Sequence, residues 1–271
     1  MSNLIKHSDG SSHFYRQDGT PEYEADLRRA RKEGLLMSVT TVDKQAFPNP
    51  ALERWKVEQA IIAGIDNPRQ PHESVDQYAQ RVYDLSTMKS GIAADFGTRV
   101  HKVIENYPAE PDNDELKPYF YAFHEWYIKS GLVKSASEVT VVDQQIGIAG
   151  RLDWEGMDTI GNRPALVDFK TQGMRPNDKG KKRPNFYPSW ARQLGFYGVA
   201  KSKRDQVMPT LPACGSVVID STEPHEPYVK WWTDEEIRAS YSEFICGAWL
   251  VHHMKSFWPV GQWKIQDHIL L

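Results

Sequence analysis

The sequence predicts a single elaborated α/β domain, with helices in its first half, strands in its middle, and a crossover helix and a long terminal helix after them. Three observations carry that expectation. Residues 51–129 space their apolar side chains at helical intervals between recognisable caps. Residues 138–171 switch to β-rich runs separated by turn residues. Thr233-Asp-Glu-Glu236 is a capping box opening a long amphipathic run. No repeat, low-complexity tract or long linker divides the 271 residues, and 40 % hydrophobic composition with nine tryptophans suffices for a substantial core.

The elements follow in order. Residues 1–36 are polar and charged, and read as a loosely structured N-terminal arm with one short helix near Tyr23 to Lys32. Residues 37–271 form the domain: 37–130 mainly helical, 131–232 a sheet core with a crossover helix, and 233–271 a terminal helix and tail. Ser38 to Val42 is a short β-prone segment. Asn49-Pro50 starts a helix over Ala51 to Gly64, with Leu52, Trp55, Gln59 and Ile62 on one stripe. After a Pro-containing break at Asn67 to Pro71, helices are expected over Ser74 to Leu85 and Ser86 to Glu105, the second interrupted near Gly91 or Gly97. Another spans Glu115 to Lys129. Strands over Glu138 to Val142, Ile146 to Trp154 and Ala165 to Thr171 make a three-stranded meander. A helix over Ser189 to Lys201, strands at Gly215 to Asp220 and Tyr228 to Trp232, and a final helix with the stripe Ile237, Tyr241, Phe244, Ile245, Ala248 and Trp249 complete the chain.

Composition excludes several classes. Cys214 and Cys246 fit no disulfide scaffold, zinc site or iron–sulfur spacing, so a reducing, intracellular setting is expected. The first residues lack a signal or transit pattern, and no stretch has the apolar length of a membrane span. A net charge of −3 argues against coating nucleic acid by global charge. One local basic run, Arg175, Lys179, Lys181, Lys182 and Arg183, is a candidate phosphate-contacting loop.

The chemistry concentrates around Leu166-Val-Asp-Phe-Lys-Thr171. Alternation places Leu166, Asp168 and Lys170 on one strand face, with Ala165, Val167 and Phe169 on the other, against a helix. An isolated Asp-x-Lys pair would be an ordinary surface ion pair. Here Gly150-Arg-Leu-Asp153 ends the preceding strand, so a hairpin can set Asp153 beside Asp168, and Gly150 permits close approach of a phosphate or backbone. Two carboxylates and a lysine suit a hard divalent ion that also takes phosphate and water. Further upstream, His101 and Glu105 share a helix face, as do Gln193 and Tyr197 downstream. Asp168 and Lys170 are expected to face a hydrophilic site rather than the core, so their loss should leave folding largely intact.

Taken in order, Gly97-x-x-x-His101, Gly150-x-x-Asp153, Asp168-x-Lys170-Thr171 and Gln193-x-x-x-Tyr197 resemble the RecB-like branch of the PD-(D/E)XK nuclease superfamily. Ser38 to Val42, with Leu52 and Trp55, is similar to the opening of exonucleases related to mitochondrial genome maintenance exonuclease and their phage and bacterial relatives. The resemblance spans roughly residues 38–250. It implies a restriction-endonuclease-like core, a central mixed sheet flanked by helices, with a helical N-terminal elaboration. It further implies Mg²⁺ or Mn²⁺ held by Asp153, Asp168 and the Phe169 main-chain carbonyl and completed or tuned by His101, with Glu138 and Glu105 as additional candidates. Lys170 is the matching catalytic lysine, supported by Gln193 and Tyr197. Leu152 stands where the superfamily's naming proline would be, and the cysteine cluster of its CRISPR-adaptation members is absent.

The expected activity is a metal-dependent DNA exonuclease acting on ends or single strands in recombination, repair or phage DNA metabolism, in the cytoplasm of a bacterial or phage-infected cell. Cleavage should leave 5′-phosphate and 3′-hydroxyl. The alternatives are a restriction-type or structure-specific endonuclease, and a non-catalytic nucleic-acid-binding module retaining the fold. Trp55, Tyr83, Phe96, Tyr107 and Trp126 could include a base-stacking platform, although helical spacing favours core for most of them.

Overall fold

The computed structural model describes residues 13–174, 176, 180–205 and 211–269. Strands β1 (Phe14–Tyr15) and β2 (Pro21–Glu22), helix α1 (Leu27–Glu33) and strand β3 (Leu36–Ser38) open the fold. Helices α2 (Val39–Ala46), α3 (Pro50–Asp66), α4 (Val75–Glu105) and α5 (Lys117–Lys129) follow. The meander is β4 (Leu132–Asp143), β5 (Ile148–Asp158) and β6 (Arg163–Gln172). Helix α6 (Pro188–Asp205) then leads to β7 (Ala213–Asp220), β8 (Tyr228–Trp232) and α7 (Asp234–Lys255).

These strands form one mixed eight-stranded sheet flanked by helices, ordered β2-β1-β3-β5-β6-β7-β8, with β4 also paired to β5. Because β4 pairs along all of β5, β3 and β6 must share the opposite edge. β3 runs parallel to β5 at Ile148 and Ala149, and β6 runs antiparallel to it from Trp154 to Asp158. Residues 150–153 lie between the two ladders. β6 and β7 are parallel, which requires the crossover through α6.

One face of the sheet buries Leu152 and Leu166 against Leu194, Tyr197, Phe244 and Ile245 of α6 and α7. The other buries Trp154, Val167 and Phe169 against Val100 of α4 and Phe123 of α5. Each fully buried aliphatic or phenyl side chain contributes roughly 1.5–3 kcal/mol through apolar area removed from water. The odd-numbered face of β6 therefore packs as its alternation predicts.

Several expectations are corrected. Residues 13–36 are not a loose arm: Phe14, Tyr15, Leu35 and Leu36 are buried, and β1 and β3 pair across the sheet. Residues 1–12 lie outside the described residues. Ser38 to Val42 is not a strand beyond its first residue. The Ser38 side chain accepts the Thr41 N–H and starts α2, and burial of Val39 and Val42 outweighs their β-branched preference. Helix α4 runs unbroken for 31 residues from a Ser74/Gln77 capping box, through both glycines. A glycine in a helix interior costs only about 1 kcal/mol, which packing of Gly97 on the sheet offsets.

Candidate functional site

The site lies where β5 and β6 part. Beyond the Trp154–Val167 pair the two strands no longer hydrogen-bond, which would strand polar backbone groups in a buried crevice. Two side chains fill the gap. The Phe169 N–H donates to Asp153 Oδ2 at 2.7 Å, and the Tyr197 hydroxyl donates to the Arg151 carbonyl at 2.9 Å.

The motif glycines make these contacts possible. A Cβ on Gly150 would stand 2.7 Å from the Tyr197 hydroxyl oxygen, so this glycine admits the Tyr197 ring rather than the phosphate or backbone expected from the sequence. A Cβ on Gly97 would stand 2.5 Å from Thr171 Oγ1, so α4 can lie against β6 and hold His101 over the parted strands.

Asp168 is buried, with its side chain 1 % exposed. Lys170 Nζ donates to its Oδ1 at 2.8 Å and lies 2.7 Å from Oδ2, an ionic approach that leaves Oδ2 without a hydrogen-bond donor. Lys170 also reaches Gln193 Oε1 at 3.5 Å, and Gln193 Nε2 donates to the Tyr197 hydroxyl at 3.1 Å. A polar chain thus runs from Asp168 through Lys170, Gln193 and Tyr197 to the backbone of β5. Asp168 and Lys170 were expected to face a hydrophilic site; they meet there with Gln193, but the Asp168 side chain is closed off from solvent.

Burial pushes the Asp168 carboxyl up to about 6, with Lys170 opposing and Asp153 adding to the rise. Burial likewise raises Asp153, opposed by Lys170 and the Phe169 N–H. Burial alone would lower Lys170, but Asp168 and Asp153 lift it above the ordinary lysine value. Its ammonium is therefore charged at neutral pH. His101 Nδ1 lies 3.9 Å from Asp153 Oδ2, and burial together with Lys170 lowers this imidazole to about 4, leaving it neutral.

The remaining candidates stand at different distances from this centre. Glu105 pairs with Lys102 at 2.8 Å, and Glu138 with Arg151 at 2.6 Å. Burial raises Glu138, Arg151 opposes, and Glu105 adds to the rise, so the two glutamates share one electrostatic neighbourhood. Glu138 also raises Asp153. The Phe169 side chain is buried edge-on against Phe123. Among the described residues, no group of three or more His, Cys, Asp or Glu side chains forms a ready-made metal cage.

In the basic run, Arg175 and Lys179 lie outside the described residues, and Lys181 and Arg183 are exposed. Lys182 is held by Glu223 at 2.7 Å and lies 3.8 Å from buried Asp220. Of the aromatic candidates, Trp126 is buried and Phe96 and Tyr107 pack against the α5 core, whereas Trp55 and Tyr83 are exposed. Sequence reasoning passed over Arg151, although its i, i+2 relation to Asp153 puts both on one face of β5. It also passed over His13, Tyr15 and Tyr23, which the N-terminal strands bring near Arg151.

No protein-family profile and no curated protein matches the sequence. Among solved structures, the alkaline exonuclease LHK-Exo from Laribacter hongkongensis is similar at 12 % identity and a TM-score of 0.36, over 81 % of this chain and 89 % of that one. LHK-Exo in complex with dAMP matches at 11 % identity and a TM-score of 0.38, over 82 % and 90 %.

Proposed function

We propose that the chain is a divalent-metal-dependent deoxyribonuclease, an exonuclease acting on DNA ends or single strands in recombination, repair or phage DNA metabolism. The observation that carries this reading is the buried Asp168 with Lys170 on its oxygens and Asp153 beside it, at the point where two sheet strands part. Asp153 adds to the rise that burial gives the Asp168 carboxyl, and Asp168 Oδ2 has no hydrogen-bond donor, so a hard cation fits the donor set. Mg²⁺ or Mn²⁺ keeps several waters and needs only one or two protein carboxylates, so it does not require a complete cage of the kind absent among the described residues.

Asp153, Asp168 and the Phe169 main-chain carbonyl would hold the ion, with neutral His101 completing or tuning the set. Bound there, the metal supplies charge stabilisation and a water of lowered pKa. Lys170, kept protonated by its two carboxylates, orients water and stabilises charge developing on the phosphate instead of acting as a base. Gln193 and Tyr197 fix the lysine and the β5 backbone. The exposed part of the basic run, Lys181 and Arg183, supports contact with the DNA backbone. Products carry 5′-phosphate and 3′-hydroxyl ends.

The test is degradation of 5′- and 3′-labelled single- and double-stranded linear DNA, beside a closed circle, with Mg²⁺, Mn²⁺ or EDTA. Metal-dependent loss of linear DNA that spares the circle supports an exonuclease and gives its polarity. Cleavage of the circle points to the endonuclease alternative, and DNA binding without cleavage under either metal points to the binding module.

A further inference from the structure

Arg151 lies on the same face of β5 as Asp153, one pleat or roughly 7 Å along the strand. Its side chain is 47 % exposed, and its guanidinium is held by Glu138 at 2.6 Å. Glu138 reaches it from an unusual backbone: φ is +54°, a left-handed conformation that a non-glycine residue rarely adopts inside a strand. A partly exposed ion pair does little for stability, so it does not account for a strained strand residue. The ion pair does tie the guanidinium to one carboxylate on the neighbouring strand.

The same face continues into the N-terminal strands, where Tyr15, Leu36 and Ala149 pack together. There the His13 ring sits 5.4 Å from Tyr15 and is stacked on Tyr23, at 5.7 Å with a 30° interplanar angle. Tyr15 is buried, but Tyr23 is 55 % exposed, which is high for an aromatic ring already stacked on one side. Ala149, against which Tyr15 packs, is one pleat from Arg151 on the same face of β5, so Tyr15, His13 and Tyr23 continue the surface that carries the guanidinium and Asp153.

We propose that Tyr23, backed by His13, and Arg151 form a subsite for one unpaired nucleotide next to the carboxylate centre, the ring stacking on its base and the guanidinium holding its phosphate. This rests on the nuclease reading above and deepens it by naming the substrate form. A ring face accepts any base, but only one that has left a duplex, so the subsite selects single-stranded substrate or a frayed end. The planar fork of arginine suits a phosphate oxygen pair, whereas a lysine would offer only a point charge. Burial, with Lys44 and Arg151 nearby, lowers the His13 pKa, so its ring stays uncharged behind Tyr23.

The experiment combines steady-state cleavage with anisotropy binding in EDTA, using a fluorescein-labelled single-stranded oligonucleotide and versions carrying one abasic nucleotide at successive positions. Tyr23→Ala is expected to raise Kd and KM about tenfold, in line with the loss of one stacked base, with kcat within threefold. Tyr23→Phe should stay within twofold of wild type, and Arg151→Lys should weaken binding several-fold. In wild type one abasic position should reproduce the tenfold loss, and in Tyr23→Ala that position should cost nothing further. Additive losses, or unchanged Kd in both Tyr23→Ala and Arg151→Lys while wild type cuts normally, would overturn the subsite alone. A wild type that neither binds nor cuts DNA with Mg²⁺ or Mn²⁺ would overturn the nuclease reading and the subsite with it.

Discussion

Removing Lys170 should destabilise the fold much more than removing Asp168, because the two are unequal members of one buried ion pair. At 2.7 Å their attraction is about 6 kcal/mol for an effective dielectric near 20, most of which the loss of hydration cancels. The intact pair thus adds little. Lys170→Met leaves Asp168 buried beside Asp153 with no cation, and an orphaned buried charge costs roughly 3–5 kcal/mol. Asp168→Asn leaves Lys170 facing Asp153 and removes the carboxylate repulsion, so its cost should be near zero or negative. Lys170→Met/Asp168→Asn should recover most of what Lys170→Met loses. Urea unfolding at pH 7.5, followed by tryptophan fluorescence, reads this directly: with m near 3 kcal/mol/M, Lys170→Met should lower the midpoint by about 1–1.7 M. A Lys170→Met midpoint equal to wild type, or a double variant no better than Lys170→Met, would refute the reasoning.

Other outcomes follow from the same geometry. Tyr197→Phe leaves the Arg151 carbonyl without its donor in the parted strands and should cost about 1–3 kcal/mol in urea unfolding. Gly150→Ala drives a Cβ towards the same hydroxyl and should cost about 1–3 kcal/mol by overpacking, and its combination with Tyr197→Phe should cost less than the sum. Gly97→Ala collides with Thr171 and shifts α4, so kcat should fall while the far-ultraviolet spectrum is unchanged, and Thr171→Ala should partly restore the rate. His252 is fully buried, with Nδ1 2.6 Å from the Phe257 carbonyl, and burial lowers its pKa. Its unfolded form takes up protons first as pH falls below about 6.5, so its contribution to stability is full above that pH and is lost below it. His252→Asn, which keeps a donor for Phe257, should flatten the fall in urea midpoint between pH 7 and pH 5.

Much of the sheet was legible because its signals are local. The period-two runs around Asp153 and Asp168, the Asn49-Pro50 start and the Thr233/Glu236 box each act within a few residues, and β8 falls on its expected residues. What sequence could not show depends on distant partners. β1 and β2 are two residues each and exist only through pairing, so a polar stretch hid them. The close fit of α4 on β6 depends on Thr171 lying opposite Gly97. The role of Gly150 required knowing that Tyr197, 47 positions later in the chain, points into the gap it leaves. The Asp153, Asp168 and Lys170 cluster was readable from motif order, but the burial of Asp168, which sets its pKa and the cost of losing its partner, was not.

The most direct test of the central claim is single-turnover cleavage of a 5′-labelled single-stranded oligonucleotide in Mg²⁺ or Mn²⁺ by wild type and Asp168→Asn, the substitution expected to leave the fold intact. Cleavage by wild type that EDTA abolishes, with a loss of at least about a thousandfold in Asp168→Asn at an unchanged urea midpoint, is the outcome this site requires. Equal rates in the two proteins, or cleavage that persists in EDTA, would contradict it.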